Sequence, residues 1–292
     1  MTATLPDVDG LIADPGVYDI PEHLYHADPV LGRSLSSTGA RRLLPPNCPA
    51  IFRHEQLNPP APKKVWDIGT AAHKLVLGSG PDLVRIDADE WRTTKVKEEV
   101  AEVRARGAVP LKPAEHDQVH AMADAIRAHR VAGALFDPTY GRPEQTLVWQ
   151  DDQTGVWCRA RLDWLPNPHG GRLIIPDYKT CRSAAPADIQ RAVFDHGYHQ
   201  QDAWYRAGTR ALGLADETAA FVFVFQEKTA PYLVTVVQLD ENAQRIAEDR
   251  NRRALEIYHD CVEADRWPGY SDDITLITPP AWAEYRHAEE LS

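Results

Sequence analysis

Cys158-Arg159-Ala160-Arg161-Leu162-Asp163-Trp164 and Pro176-Asp177-Tyr178-Lys179-Thr180 are the two stretches whose reading decides the fold of this chain. Successive side chains of a strand alternate faces. Arg159, Arg161 and Asp163 therefore make one charged face, while Cys158, Ala160, Leu162 and Trp164 make a face suited to a core. In the second stretch Asp177 and Lys179 project together and Tyr178 points the other way. Between the two lies Asn167-Pro168-His169-Gly170-Gly171, a run of turn formers, which predicts that the strands run antiparallel as neighbours with Asp163 beside Asp177. Adjacent carboxylates form a hard oxygen site of the kind that suits Mg²⁺ or Mn²⁺. An ammonium next to them can orient or deprotonate a water, or stabilise negative charge on a phosphoryl group. Alone, an Asp-x-Lys on a strand is an ordinary surface ion pair; its neighbours in sequence decide whether it is more.

Upstream, Trp66-Asp67-Ile68-Gly69-Thr70-Ala71-Ala72-His73-Lys74-Leu75-Val76-Leu77 predicts a helix with Ile68, Ala72, Leu75 and Val76 as its apolar stripe. His73 lies one turn from Gly69, where the missing side chain leaves room beside an imidazole that can ligate a metal. Downstream, residues 198–208 have helical character, and Gln201 and Tyr205 fall on one face, able to bond a phosphate, a water or each other.

Taken in order, Gly69-x-x-x-His73, Asp163, Asp177-x-Lys179 and Gln201-x-x-x-Tyr205 resemble the PD-(D/E)xK nuclease superfamily. Within it the resemblance is to the RecB-like branch, nearest to the RecE-type exonucleases (exonuclease VIII) and more distantly to lambda exonuclease. The segment Leu35-Ser36-Ser37-Thr38-Gly39-Ala40-Arg41-Arg42-Leu43-Leu44, followed by Cys48-Pro49-Ala50, is similar to the Ser-rich helix and small-Pro pattern of RecE-like proteins. The resemblance covers residues 30 to 240. It implies a restriction-endonuclease-like α/β (α+β) core in which His73, Asp163, Asp177 and the Tyr178 carbonyl hold a divalent metal and Lys179 serves the attacking water. Gln201 and Tyr205 would then position the scissile region or support Lys179, and Glu144 would stand where related enzymes place another acid. The implied activity is Mg²⁺-dependent (or Mn²⁺-dependent) exonucleolytic cleavage of duplex DNA ends, 5′ to 3′, in phage-type homologous recombination. A single-strand annealing protein is the implied partner and a homo-oligomeric ring the implied assembly. Two alternatives stand beside it: a catalytically silent DNA- or protein-binding module of the same fold, and a single-strand-specific or endonucleolytic RecB-like nuclease.

With 292 residues, 43% of them hydrophobic, the chain is long enough for one sizeable core. We expect a single domain over 1–292, with an N-terminal elaboration (1–65), a core (66–240) containing a helical insert near 90–130, and a C-terminal helix and tail (241–292). No run of 18 apolar residues occurs and the N-terminus lacks the regions of a signal peptide, which predicts a soluble, cytoplasmic protein with no membrane partner. Cys48, Cys158, Cys181 and Cys261 are dispersed, so reduced thiols and no iron–sulfur cluster are expected.

A net charge of −11 excludes a surface that is generally adhesive to nucleic acid. The cations are grouped, at Arg41-Arg42, Lys63-Lys64, Lys95 and Lys97, Arg104 and Arg106, and around Arg159, Arg161, Lys179 and Arg182, which predicts a basic channel in an acidic exterior. Arg41 and Arg42 are the foremost candidates for contacting a DNA phosphate, with Arg161 behind them.

Periodicity and punctuation predict an extended, turn-rich start to about residue 30, a helix over 36–44 stopped by Pro45-Pro46, a linker at Asn58-Pro59-Pro60-Ala61-Pro62, and helices over 95–106 and 113–129. Strands follow over 145–150, 156–165 and 172–179, helices over 186–194 and 198–212, strands over 219–226 and 231–239, and a long helix over 241–264, giving a mixed sheet flanked by helices. The tail aromatics Trp267, Tyr270, Trp282 and Tyr285 lie among prolines, so this segment should wrap the surface without forming a long helix.

Overall fold

Residues 11–58, 68–168 and 171–291 are described by the structure, a computed structural model. The extreme N-terminus, the linker prolines with Lys63-Lys64, the Trp66-Asp67 start of the histidine helix, and His169-Gly170 of the turn lie outside the described residues.

The N-terminal part forms β1 (Gly16–Tyr18), α1 (Glu22–His26), β2 (Leu35–Ser36), α2 (Ser37–Arg42) and α3 (Pro49–Leu57). Ser36 caps α2, its hydroxyl accepting the Gly39 N–H at 3.1 Å. Pro49 occupies the first turn of α3, where a missing N–H costs nothing. Neither α1 nor α3 is anticipated by the sequence. Five residues are too few to show a helical period, and Cys48-Pro49 reads as punctuation until the helix behind it is seen.

Next come α4 (Ile68–Leu77), β3 (Leu83–Arg85), α5 (Thr94–Ala105), β4 (Val109–Leu111), α6 (Pro113–Ala128) and α7 (Ala132–Leu135), with β3 and β4 paired in parallel. Here α6 buries Met122 and Ile126 in a cluster with Ala72 and Leu77 of α4 and with Trp164, Tyr178 and Val224 of the sheets. Each such side chain contributes roughly 1.5–3 kcal/mol of burial. Helix α6 therefore packs α4, which carries His73, against the sheets.

The remainder comprises β5 (Gly141–Gln150), β6 (Trp157–Pro166), β7 (Ile174–Cys181), α8 (Pro186–Asp195), α9 (Tyr198–Ala211), β8 (Ala220–Glu227), β9 (Val234–Gln238), α10 (Glu241–Glu263) and α11 (Ala281–Glu290). The hydrogen-bonded strand orders are β1-β5-β6-β2 and β7-β8-β9, with β7 parallel to β8 and β8 antiparallel to β9. Helices α9 and α10 cover the sheets through Trp204, Leu255 and Tyr258, and Gly208 lets α9 approach so closely that an added Cβ would lie 2.7 Å from the Trp149 ring.

The strand alternation is as the sequence predicts, with Cys158, Ala160, Leu162 and Trp164 buried. The pairing is not. Strands β6 and β7 lie side by side but belong to separate hydrogen-bonded sheets, so the expected antiparallel pair is absent among the described residues. Its physical replacement is a side-chain bond: Asp163 Oδ2 accepts the Tyr178 N–H at 2.8 Å.

In the tail, Trp267 stacks on Phe52 and packs edge-on against Tyr258, whereas Tyr270, Trp282 and Tyr285 are exposed. Residues 281–290 form the short helix α11, with Pro280 at its N-cap. All four cysteines are free thiols, and no described helix is long and apolar enough to cross a membrane.

Candidate active site

The splayed junction of β6 and β7 opens into a cleft of about 560 Å³. Asp163, Glu144, Arg161, Tyr178, Lys179, His73 and Tyr205 all line it. Strand alternation delivers Asp177 and Lys179 to the same side, and the Lys179 ammonium contacts Asp177 Oδ2. Tyr178 faces the opposite way, its hydroxyl 2.5 Å from Gln226 Oε1.

Glu144 faces Asp163 across the β5–β6 ladder, at the one step where pairing is interrupted between Pro143↔Trp164 and Gln145↔Leu162. Its backbone takes φ +58°, a left-handed conformation that costs a non-glycine residue on the order of 1–3 kcal/mol. Two carboxylates opposite each other repel. The His73 imidazole spans them, with Nε2 3.3 Å from Asp163 Oδ2 and Nδ1 3.5 Å from Glu144 Oε1. Arg161 takes the other Glu144 oxygen at 2.6 Å and donates to the Ile20 carbonyl at 2.7 Å. Its guanidinium thus serves the protein's own acid and backbone.

Gln201 donates to Asp177 Oδ1 at 2.7 Å and is itself hydrogen-bonded to Tyr205, which packs edge-on against Phe221. The Gln201–Tyr205 pair predicted from helical spacing therefore props the Asp177 carboxylate. Arg42 is paired with Glu55 at 3.1 Å, and Arg41 lies at the α8–α9 corner against Gly197.

Charge in the cleft is unevenly satisfied. Burial, and then the neighbouring Asp163 charge, push Asp177 up to about 7 despite Lys179. Burial and Asp163 likewise raise Glu144. Burial opposes an ionised Asp163, but His73 and Lys179 outweigh it and hold that carboxyl below its usual range. Burial opposes the His73 cation too, yet Asp163 and Glu144 raise it to about 9. Lys179 is raised, since Asp177 and Asp163 overcome its burial, so in this arrangement it carries a positive charge.

Among the described residues no three His, Cys, Asp or Glu side chains are posed around a common point, because the imidazole and carboxylates are turned on one another. The donor set still suits a hard divalent cation. Asp163, Glu144 and the His73 imidazole line the cleft, Asp177 lies buried in contact with Lys179, burial and then the Asp163 charge raise both Glu144 and Asp177, and Asp177 Oδ2 has no well-directed hydrogen bond.

Sequence reasoning missed the α1 wall. Glu22, Tyr25 and His26 line the cleft, brought there because Arg159 is gripped by Asp28 at 3.0 Å, by the Ser34 carbonyl at 2.7 Å and by the Tyr25 ring face. It also missed Tyr198, whose ring carries the Lys179 ammonium 5.2 Å from its centroid. The isolated tyrosine before the Gln-x-x-x-Tyr spacing was the available signal.

A family model described as a PDDEXK-like domain of unknown function (DUF3799) matches residues 47–279. Among solved structures, a protein of Eubacterium rectale named as a candidate exonuclease aligns with TM-score 0.54 at 14% identity, over 91% of this chain and 98% of that one. An alkaline exonuclease from Laribacter hongkongensis aligns with TM-score 0.25 at 13% identity, over 66% of this chain and 91% of its own. At these identities the likeness is one of fold. No curated protein matches.

Proposed function

We propose a nuclease function from one premise: the chain belongs to the PDDEXK-like family DUF3799, to which residues 47–279 match. The protein hydrolyses phosphodiester bonds of DNA, and the observation that carries this reading is the convergence of Asp163, Lys179 and His73 at one cleft, with Asp177 buried against Lys179.

Asp163, Asp177 and His73, with the Tyr178 carbonyl and Glu144 in support, would hold Mg²⁺ or Mn²⁺. When bound, such a cation polarises the phosphoryl oxygens and lowers the pKa of a water. The chain's own residues do the rest. Lys179 presents a permanent positive charge to the phosphoryl group as its negative charge grows. Gln201, backed by Tyr205, fixes the Asp177 carboxylate through Oδ1 and leaves Oδ2 directed to Lys179. Arg161 orients Glu144, and Arg41 meets the phosphate backbone, with Arg42 beside it.

The reaction is exonucleolytic, on duplex ends, 5′ to 3′. It serves phage-type recombination with a single-strand annealing partner, as a ring of copies in the cytoplasm. The exonuclease name of the Eubacterium rectale fold neighbour supports exonuclease over endonuclease; polarity, partner and ring follow from the RecE-like motif order. The test is incubation with Mg²⁺ or Mn²⁺ of linear duplexes labelled at the 5′ or 3′ end, beside a closed circle. Loss of the 5′ label first with the circle intact is expected. Nicking of the circle would make the protein an endonuclease, and no cleavage with either metal would make it a silent binder.

A further inference from the structure

A second cavity, of about 450 Å³, opens between the end of α2, the turn joining α8 to α9, and α10. It adjoins the active cleft at that turn, because Gly197 lines the cavity and the next residue, Tyr198, lines the cleft and carries Lys179 on its ring. Arg41, Arg42 and Arg250 face it, against the carboxylate of Asp195.

Their charges are unequally compensated. Arg42 is paired with Glu55. Arg250 is held by neutral groups, the Gln200 Oε1 at 3.1 Å and the Pro45 carbonyl at 3.4 Å. Arg41 has no carboxylate partner among the described residues; burial, and then Arg42, depress its basicity. Packing fixes it in place. Gly197 has φ +70°, and a Cβ there would collide with the Arg41 stem. His199, in the same wall, adds no charge, since burial and the two arginines hold its pKa down against the Val193 carbonyl.

In a chain of net charge −11, two guanidiniums without acidic partners around one cavity are a surplus that calls for an anion. Two apolar side chains stand in this lining: Phe194 is 45% exposed, with its ring 4.7 Å from that of His199, and Ile246 is 39% exposed. Guanidiniums below an exposed aromatic edge match a nucleotide unit, phosphate on the cations and base on the ring.

We propose that this cavity is a nucleotide subsite for the strand being cut, with a backbone phosphate between Arg41 and Arg250 and the adjoining base against Phe194. A base is free to lie there only in a single strand or frayed end, because in a duplex it is stacked. The proposal rests on the nuclease reading for its substrate. A free mononucleotide offers the same chemistry.

The test measures binding of a short labelled single strand, across a salt series, to Asp177→Asn protein that leaves the strand uncut. Arg41→Gln and Arg250→Ala should each weaken binding about tenfold and reduce the slope of log affinity against log salt by about 0.7. Phe194→Ala, a change at an exposed ring with little call on the fold, should weaken binding about tenfold with the slope unchanged. Arg250→Lys should restore the slope, which separates lost charge from lost packing. Parental affinity and slope in the two charge-removing arginine variants would overturn the subsite and leave the nuclease intact. Arginine-dependent strand binding by a parental protein that cuts nothing would overturn the nuclease reading and keep the subsite. A mononucleotide that binds as tightly as the strand, with the same arginine dependence, would overturn the assignment to the cut strand.

Discussion

Asp151 and Asp177 are both carboxylates paired with a cation on the edge of the same core, and they are treated in opposite ways. Asp151 takes both Arg252 nitrogens at 2.8 Å and both the amide and hydroxyl of Thr154 at 3.0 and 2.8 Å. Burial opposes its charge, but Arg252 and Thr154 more than offset that, so its pKa is lowered. Asp177 has Gln201 on one oxygen, the Lys179 ammonium on the other, and a second carboxylate nearby, and its pKa rises to about 7. Asp151 is saturated and tightens the fold; Asp177 is buried beside a second carboxylate, a cost that Lys179 does not fully offset. Burial also raises Asp202, to about 6 beside Arg206, so a raised pKa alone does not mark a site. A raised acid marks a site only where other acids converge with it.

The sharpest way to break the comparison is to neutralise each acid. Asp177→Asn should cut DNA cleavage by at least about 10³-fold. Above pH 7 the same change should stabilise the metal-free protein by about 1–3 kcal/mol, because the native carboxylate is charged there at a cost that asparagine does not carry. Asp151→Ala should do the reverse, costing about 2 kcal/mol in denaturant unfolding with the cleavage rate of the folded protein unchanged. Equal losses of stability in both would erase the distinction.

Protons sharpen it further. His73 rises from 6.5 to about 9 on folding, so its contribution is whole below pH 6.5 and is lost as pH rises through 9. Asp177 rises from 3.8 to about 7, so its contribution is whole below pH 3.8 and is lost through 7. Metal-free protein should therefore lose thermal stability in two steps between pH 4 and 9. The His73 step is on the order of 2 kcal/mol and should vanish in His73→Gln. Divalent cations, which must displace these protons, should bind more tightly across the same window. The smallest effect belongs to Glu144→Gly, which relieves the φ +58° conformation and should add about 1 kcal/mol while weakening metal binding, measured against Glu144→Gln.

How far the sequence reveals this arrangement differs between near and far. The alternation of Cys158 to Trp164 and the Asp177-x-Lys179 spacing are local, and both are legible because strand and helix periods dictate which side chains share a face. The Gln201 and Tyr205 pairing is legible for the same reason. The missing β6–β7 ladder is not, because it depends on Asp163 claiming an amide fifteen residues away in sequence. Nor is the α1 wall, which is set by Arg159 reaching Asp28 and Ser34 across more than a hundred residues. The left-handed Glu144 has no marker in its neighbours. Composition favoured an acidic, non-adhesive surface, and only the fold brings Arg41 and Arg250 together at one cavity.

We propose that the β6–β7 junction binds a divalent cation through Asp163 and Asp177. Calorimetric titration of Mn²⁺ into the parental protein and into the Asp163→Ala, Asp177→Asn and Asp151→Ala variants at pH 8 tests it directly. Binding with proton release is expected in the parental and Asp151→Ala proteins, and its loss in the other two. No binding by the parental protein, or equal binding by all four, would contradict it.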